Sequence, residues 1–219
     1  MVIIDQTYLT VKENGTHEIE IKKSRFIATV ARISSEDEAK EIIQDVRKEY
    51  WKATHNCVAY TLGNHQEIQR SQDDGEPSGT AGVPMLEVLK QRELINTLVV
   101  VTRYFGGTKL GAGGLIRAYS SAVSEAIDAI GMVKGVLQQA LFVTVDYASH
   151  GKLEHFLSLH PEYYLADTQF TDTVTLQLMI DEPDVEQAID DLNNLLNGTA
   201  TFKKGETSSY VELPYTLPK

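Results

Sequence analysis

The sequence predicts an α+β protein of two domains, and three observations carry that prediction. Stretches of alternating or β-branched residues are interleaved with stretches whose apolar residues recur every three or four positions, the two periodicities of strand and helix. From residue 137 onward these stretches follow one another as strand, helix, strand, strand, helix, strand, which is the ferredoxin-like plan. Gly131-Met-Val-Lys-Gly135 breaks the pattern immediately before it, so the domains are expected at 1–135 and 136–219. A chain of 219 residues can give each of them a hydrophobic core.

In the first domain, residues 7–12 and 16–22 flank Glu13-Asn14-Gly15, a turn of the kind that closes hairpins. Residues 25–33 read as a further strand. Ser35 with Glu38 forms a capping box, after which Ala39, Ile42, Ile43, Val46 and Tyr50 share one helical face up to about Trp51. Residues 56–62 and 67–71 pair around Gly63-Asn64, and a loop at 72–80 leads into a helix holding Met85, Leu86 and Leu89, with Pro84 in its first turn. Residues 97–105 are almost continuously apolar and β-branched, as in a strand covered on both faces. Leu115, Tyr119, Ala122, Val123, Ala126, Ile127 and Ile130 then mark an amphipathic helix. Arg117 lies about 200° around that helix from Leu115 and is expected to face away from the core.

In the second domain, strands are expected at 137–147, 163–170, 173–181 and 200–212, and helices at 149–159 and 184–196. Alternation of Val174, Leu176, Leu178 and Ile180 supports a strand covered on one face, and the spacing of Val185, Ala188, Ile189, Leu192 and Leu196 supports a helix.

Hydrophobic content of 42% with 23% charged residues is that of a folded globular protein. No apolar run approaches the roughly 20 residues that span a bilayer. The opening Met-Val-Ile-Ile is broken at once by Asp5 and Gln6, unlike a signal peptide, so a cytoplasmic location with no membrane association is expected. The single cysteine, Cys57, excludes an intramolecular disulfide and agrees with a reducing compartment. The net charge of −11 is unevenly spread: residues 1–136 hold 16 Lys and Arg against 18 Asp and Glu, residues 137–219 only 4 against 13. The first part can therefore present a local basic face, whereas the second would repel phosphate.

The densest functional signal is Val99-Val-Val-Thr-Arg-Tyr-Phe-Gly-Gly-Thr-Lys-Leu-Gly-Ala-Gly-Gly-Leu-Ile-Arg-Ala-Tyr119, a strand, a glycine loop and a helix start in one short span. Helix N-termini direct unpaired amides and a partial positive charge outward, and glycines let a ligand approach them. Gly106-x-x-x-x-Gly111 opens like a P-loop, but Ala112-Gly113 stands where Lys-Ser/Thr is needed; Gly111-Ala-Gly113 opens like a dinucleotide fingerprint, but Ile116 replaces the third glycine. What remains is a generic anion cradle, for which the same glycines would equally serve close strand–helix packing. Its expected anion- or nucleic-acid-binding residues are Arg103, Tyr104, Gly106, Gly107, Lys109, Gly111, Gly113, Gly114 and Arg117.

A supporting segment, Asp73-Asp-Gly-Glu-Pro-Ser-Gly-Thr80, brings in Asp73, Asp74, Gly75, Glu76, Pro77, Gly79 and Thr80, with His55 nearby. Its carboxylates have three readings: a solvated turn, partners for Arg103, Lys109 or Arg117, or a Mg2+ site formed by Asp73, Asp74 and Glu76. His55 and Cys57 share one strand face, the arrangement a cysteine nucleophile would need, although a lone cysteine is commonly a small core residue. His150, His155 and His160 recur every five residues and do not align on one helical face.

His55-x-Cys57-x-Ala59-Tyr60, Asp73-Asp-Gly-Glu-Pro-Ser-Gly-Thr-Ala-Gly-x-Pro84 and Val100-Val-Thr-Arg-Tyr-Phe-Gly-Gly-x-Lys-Leu-Gly-x-Gly-Gly-Leu-x-Arg-Ala-Tyr119 closely resemble the motifs of the IMPACT/YigZ family. The resemblance covers essentially the whole chain, since bacterial members also carry a ferredoxin-like C-terminal domain. It implies an N-terminal α+β domain of the ribosomal-protein-like fold shared with small-molecule kinases of the GHMP type, and an arrangement like the last two domains of elongation factor G. Eukaryotic members restrain the kinase that senses amino-acid starvation by competing for its activator. The RWD domain that those members carry is not expected here, so the resemblance implies a regulatory, ribosome-binding or RNA-binding activity instead. The family's motif positions fall here on His55, Asp73, Asp74, Glu76, Arg103, Gly106, Gly107, Lys109, Gly111, Gly114 and Arg117.

The resulting expectation is a non-enzymatic regulator of translation or stress response that meets RNA or the ribosome through the glycine loop and requires no cofactor. Two alternatives stand beside it: an enzyme acting on a phosphorylated small molecule or nucleotide with Mg2+, and a protein-interaction module whose acidic C-terminal domain recruits a protein partner.

Overall fold

The computed structural model describes residues 7–217. The opening Met-Val-Ile-Ile lies outside them. The chain divides into one unit of residues 1–135 with 213–219 and a second of residues 136–212.

The first unit is built on a sheet ordered β2-β3-β6-β4-β5, comprising β2 (Gly15–Ile21), β3 (Ser24–Arg32), β4 (His55–Leu62), β5 (Ile68–Gln72) and β6 (Thr97–Tyr104). All of its pairings are antiparallel. The two faces are covered by different helices. Val99, Val101, Cys57, Ala59, Phe26 and Ala28 pack against α2 (Gly82–Gln91) and α3 (Ala112–Ile130), while Leu98, Val100, Val58 and Tyr60 pack against α1 (Glu36–Glu49). This is why residues 97–104 are apolar on both sides of the pleat. Ser35 caps α1 as expected, its Oγ accepting from the Glu38 amide at 3.2 Å while the Glu38 carboxylate accepts from the Ser34 amide at 2.7 Å.

The expected hairpin around Glu13-Asn14-Gly15 does not form. Asn14 Oδ1 accepts from the Arg32 amide at 2.8 Å, tying this segment to β3, and β1 (Thr7–Val11) pairs instead with the first residues of β7 (Met132–Val145). Lys12 N donates to Gly131 O at 3.0 Å, and the Tyr8 ring lies over Gly135. Residues 132–135, expected as a break in the pattern before the domain boundary, are thus strand. The hairpin forms one strand later: Lys22 and Lys23, with φ of 48° and 65°, make the two-residue turn between β2 and β3.

The second unit continues β7 through α4 (Tyr147–Leu159), β8 (Tyr164–Phe170), β9 (Val174–Asp181), α5 (Val185–Leu195) and β10 (Thr201–Tyr215). Its strands are ordered β10-β7-β9-β8, the 4-1-3-2 sequence of a ferredoxin-like sheet. Leu141, Val143, Val174, Leu176 and Leu178 face Leu153, Leu157, Ala188 and Leu192 of the helices. Residues 213–219, assigned from sequence to the second domain, group with the first because β10 runs on to Tyr215, which packs on the core of α2 and α3.

Candidate nucleic-acid interface

The register places the functional motifs at one end of the first unit's sheet. Arg25 at the start of β3 stands opposite Tyr104 at the end of β6, and His55 at the start of β4 stands opposite Arg103. The Lys22–Lys23 turn, the 51–54 segment, the 73–80 loop after β5 and the 105–111 loop before α3 therefore meet there.

Beneath the surface of this end lies a polar cluster. Arg103, 5% exposed, donates from Nη1 to Glu76 Oε1 at 2.6 Å, and the Tyr119 hydroxyl donates to the same oxygen at 2.8 Å. The Arg103 guanidinium lies 5.3 Å from the Phe26 ring centroid and 5.6 Å from that of Phe105. His55 Nδ1 donates to the Asp74 carbonyl at 2.8 Å, leaving Nε2 3.8 Å from Glu76 Oε2. The pairing expected between the acidic loop and one of three cations is therefore made by Arg103, which becomes an internal anchor instead of a phosphate contact. A hydrogen-bonded ion pair is the form in which two charges tolerate burial.

The other carboxylates of the loop are also committed. Asp73 accepts from the amides of Gly79, Ala81 and Gly82 at 2.8, 3.1 and 2.9 Å. Burial raises its pKa, but these three amides outweigh burial and hold it below the usual 3.8. Asp74 accepts from the Asn56 amide at 2.6 Å and from Arg47 at 3.2 Å. Among the described residues, no group of three or more His, Cys, Asp and Glu side chains is placed to hold a metal ion. The Asp73, Asp74 and Glu76 carboxylates thus lock the loop onto the sheet end, with the Thr80 hydroxyl closing a turn on the Pro77 carbonyl at 2.6 Å. Cys57 Sγ donates to the Asp73 carbonyl at 2.9 Å, and burial pushes the thiol up to about 12, the opposite of an activated nucleophile.

Above the cluster, the glycine loop is exposed. Gly106 is packed against the Lys23 carbonyl group, where a Cβ would come within 2.1 Å of the oxygen, so close packing explains this glycine. Gly111, at φ 72°, is the N-cap of α3, and the first turn has neither a side-chain cap nor an acidic residue. Gly107, Gly111 and Gly113 are exposed, Gly114 partly so, and Lys109 in the loop and Arg117 in the helix are exposed. Tyr104 is half-buried, with the Arg25 guanidinium 5.3 Å from its ring centroid.

The same end carries residues that the sequence reading did not single out. Lys22, Lys23 and Lys52 are exposed, Trp51 is 73% exposed and Phe105 47%. Among the described residues, none of Lys22, Lys23, Lys52, Lys109 and Arg117 forms an ion pair. The available signal was local: each of these residues lies at a strand or helix end beside a motif, but only the register shows that the ends coincide. No helix among the described residues is long and apolar enough to cross a membrane.

Comparison with known proteins agrees with this architecture. Residues 22–127 match the Impact N-terminal domain, and residues 143–199 match a domain of unknown function, DUF1949. The chain is 48% identical over 206 residues to IMPACT family member YvyE of Bacillus subtilis (strain 168), covering 94% of each protein. It is 44% identical over 110 residues to IMPACT family member YigZ of Escherichia coli (strain K12), covering 49% of this chain and 54% of that one. A similarity to Protein IMPACT of Rattus norvegicus, 33% over 95 residues, covers 41% of this chain and 29% of that one. A crystal structure of a hypothetical protein, 29% identical, superposes with a TM-score of 0.57 over 91% of this chain and 97% of that one. With the motif loops and both domain matches in place, the chain belongs to the IMPACT family.

Proposed function

We propose that this protein is a non-enzymatic regulator of translation whose first unit binds ribosomal or other RNA at the motif-bearing end of its sheet. The observation that carries this reading is the sorting of charge at that end. Asp73, Asp74 and Glu76 are consumed by donors within the chain, whereas Lys22, Lys23, Lys52, Lys109 and Arg117 are exposed and, among the described residues, form no ion pair, at the same end of the sheet as the start of α3, which has no side-chain cap. A polyanion approaching there meets ammonium and guanidinium groups together with free helix amides. The commitment of the loop carboxylates favours a binding role over a Mg2+-dependent reaction.

Co-sedimentation of the protein with ribosomes at low and moderate salt tests this, beside a Lys109→Glu/Arg117→Glu variant of verified fold. Pelleting of the wild type that weakens with salt and is lost in the variant is the expected result. Equal pelleting of both proteins, or of neither, would contradict it.

A second reading, protein docking by the second unit, is favoured by β8. This edge strand is exposed along nearly its whole length and carries Tyr164 and Phe170 at 61% and 60% exposure. Such an edge accepts an added strand from a partner. A Thr168→Pro substitution, which removes a backbone donor from this edge, would abolish capture of such a partner while preserving the fold.

A further inference from the structure

We infer that the RNA recognised at this end is a single-stranded stretch whose bases stack on Trp51 and Phe105; the inference rests on the RNA reading above. Large aromatic rings are ordinarily withdrawn from water, because burying one stabilises the fold by about 1.5–3 kcal/mol. Here two are left in solvent within one short region. Trp51 follows α1, and Phe105 follows β6, and the two segments are joined where the Phe105 amide donates to Thr54 Oγ1 at 3.1 Å and the Thr54 amide donates to the Arg103 carbonyl at 2.8 Å.

Each ring is associated with a cation. Lys52 Nζ lies 5.0 Å from the Trp51 ring centroid, and the Arg103 guanidinium, fixed by Glu76, lies 5.6 Å from that of Phe105. The buried Arg103–Glu76 pair thus holds the strand end from which Phe105 projects, giving the ring a rigid base at low entropic cost. Lys22, Lys23 and Lys109 are exposed on the loops at the same end of the sheet and offer the charges a sugar–phosphate backbone would meet.

Stacking platforms set in a basic groove recognise unpaired bases, because every base offers a π-face once it is unstacked. In a duplex those faces are occupied by neighbouring bases, and the protein is left with phosphates, 2′-hydroxyls and base edges, none of which stacks on a ring. The combination of exposed rings with exposed cations therefore selects single strands over duplex, without strong preference among bases.

Trp51 is the only tryptophan in the chain and reports directly on the site. The test titrates the full-length protein at low salt with a fluorescein-labelled twelve-nucleotide oligouridylate and with a GC-rich RNA duplex of equal length, reading label anisotropy and Trp51 emission together. The expected result is anisotropy-detected binding of the single strand, quenching of Trp51 emission on binding, and weaker binding of the duplex. Phe105→Ala and Trp51→Ala should each weaken the single strand about fivefold or more and leave the duplex nearly unchanged, with unfolding curves confirming that both variants fold. Binding of both RNAs with equal affinity and unchanged Trp51 emission would overturn the stacking inference while leaving phosphate binding intact. No binding of either RNA would overturn the RNA reading and the inference with it.

Discussion

Arg103 shows how one buried side chain supports the whole motif end. Removing it would leave the Glu76 carboxylate, the acceptor for Tyr119 as well, charged and buried without its cation. Arg103→Ala is therefore expected to destabilise the fold by about 3–5 kcal/mol in urea titrations, far more than loss of a surface charge. Asp73 contributes in a pH-dependent way. Its folded-state pKa lies below the 3.8 expected when unfolded, so its stabilisation is fully present above that pH and is lost as pH falls through the folded value. Asp73→Asn should cost about 1–3 kcal/mol at pH 7, and the gap from wild type should narrow below pH 3.8, as read from urea titrations across pH. Cys57, with its thiol pushed to about 12, should resist a disulfide reagent at pH 8 in the folded protein and react at once in denaturant.

At the scale of elements, the start of α3 separates stability from binding. Nothing lies within 4 Å of the position a Cβ would take at Gly113, in the first turn of a helix, so Ala fits there. Gly113→Ala should stabilise the fold by about 0.4–1 kcal/mol through the unfolded state while weakening RNA binding, because the added methyl shields the amides. Thermal unfolding and RNA titration of the same preparation check both halves. The elements themselves were largely legible: the α1 capping box, the doubly covered β6, the α3 stripe and the order of the second unit all follow from periodicity and caps. The hairpin was misplaced because Glu13-Asn14-Gly15 has favourable turn chemistry, whereas the actual turn uses two lysines at positive φ. Arg103 was misjudged for a related reason. Sequence shows its charge, but the depth of its side chain depends on Glu76, 27 residues earlier, folding back over the sheet end.

At the scale of the molecule, a chain of net charge −11 can meet a polyanion only through a local surface. The second unit, rich in carboxylates, repels phosphate, so affinity must depend on the few unpaired cations at the sheet end, and salt must weaken it. The most direct measurement is the slope of log affinity for single-stranded RNA against log salt, taken for wild type and for Lys109→Gln/Arg117→Gln. If both residues meet phosphate, the wild type shows a clear negative slope and the variant a slope shallower by about 1.4, at about 0.7 for each phosphate left without its cation. Identical slopes in the two proteins, or affinity indifferent to salt, would contradict phosphate binding at the motif-bearing end.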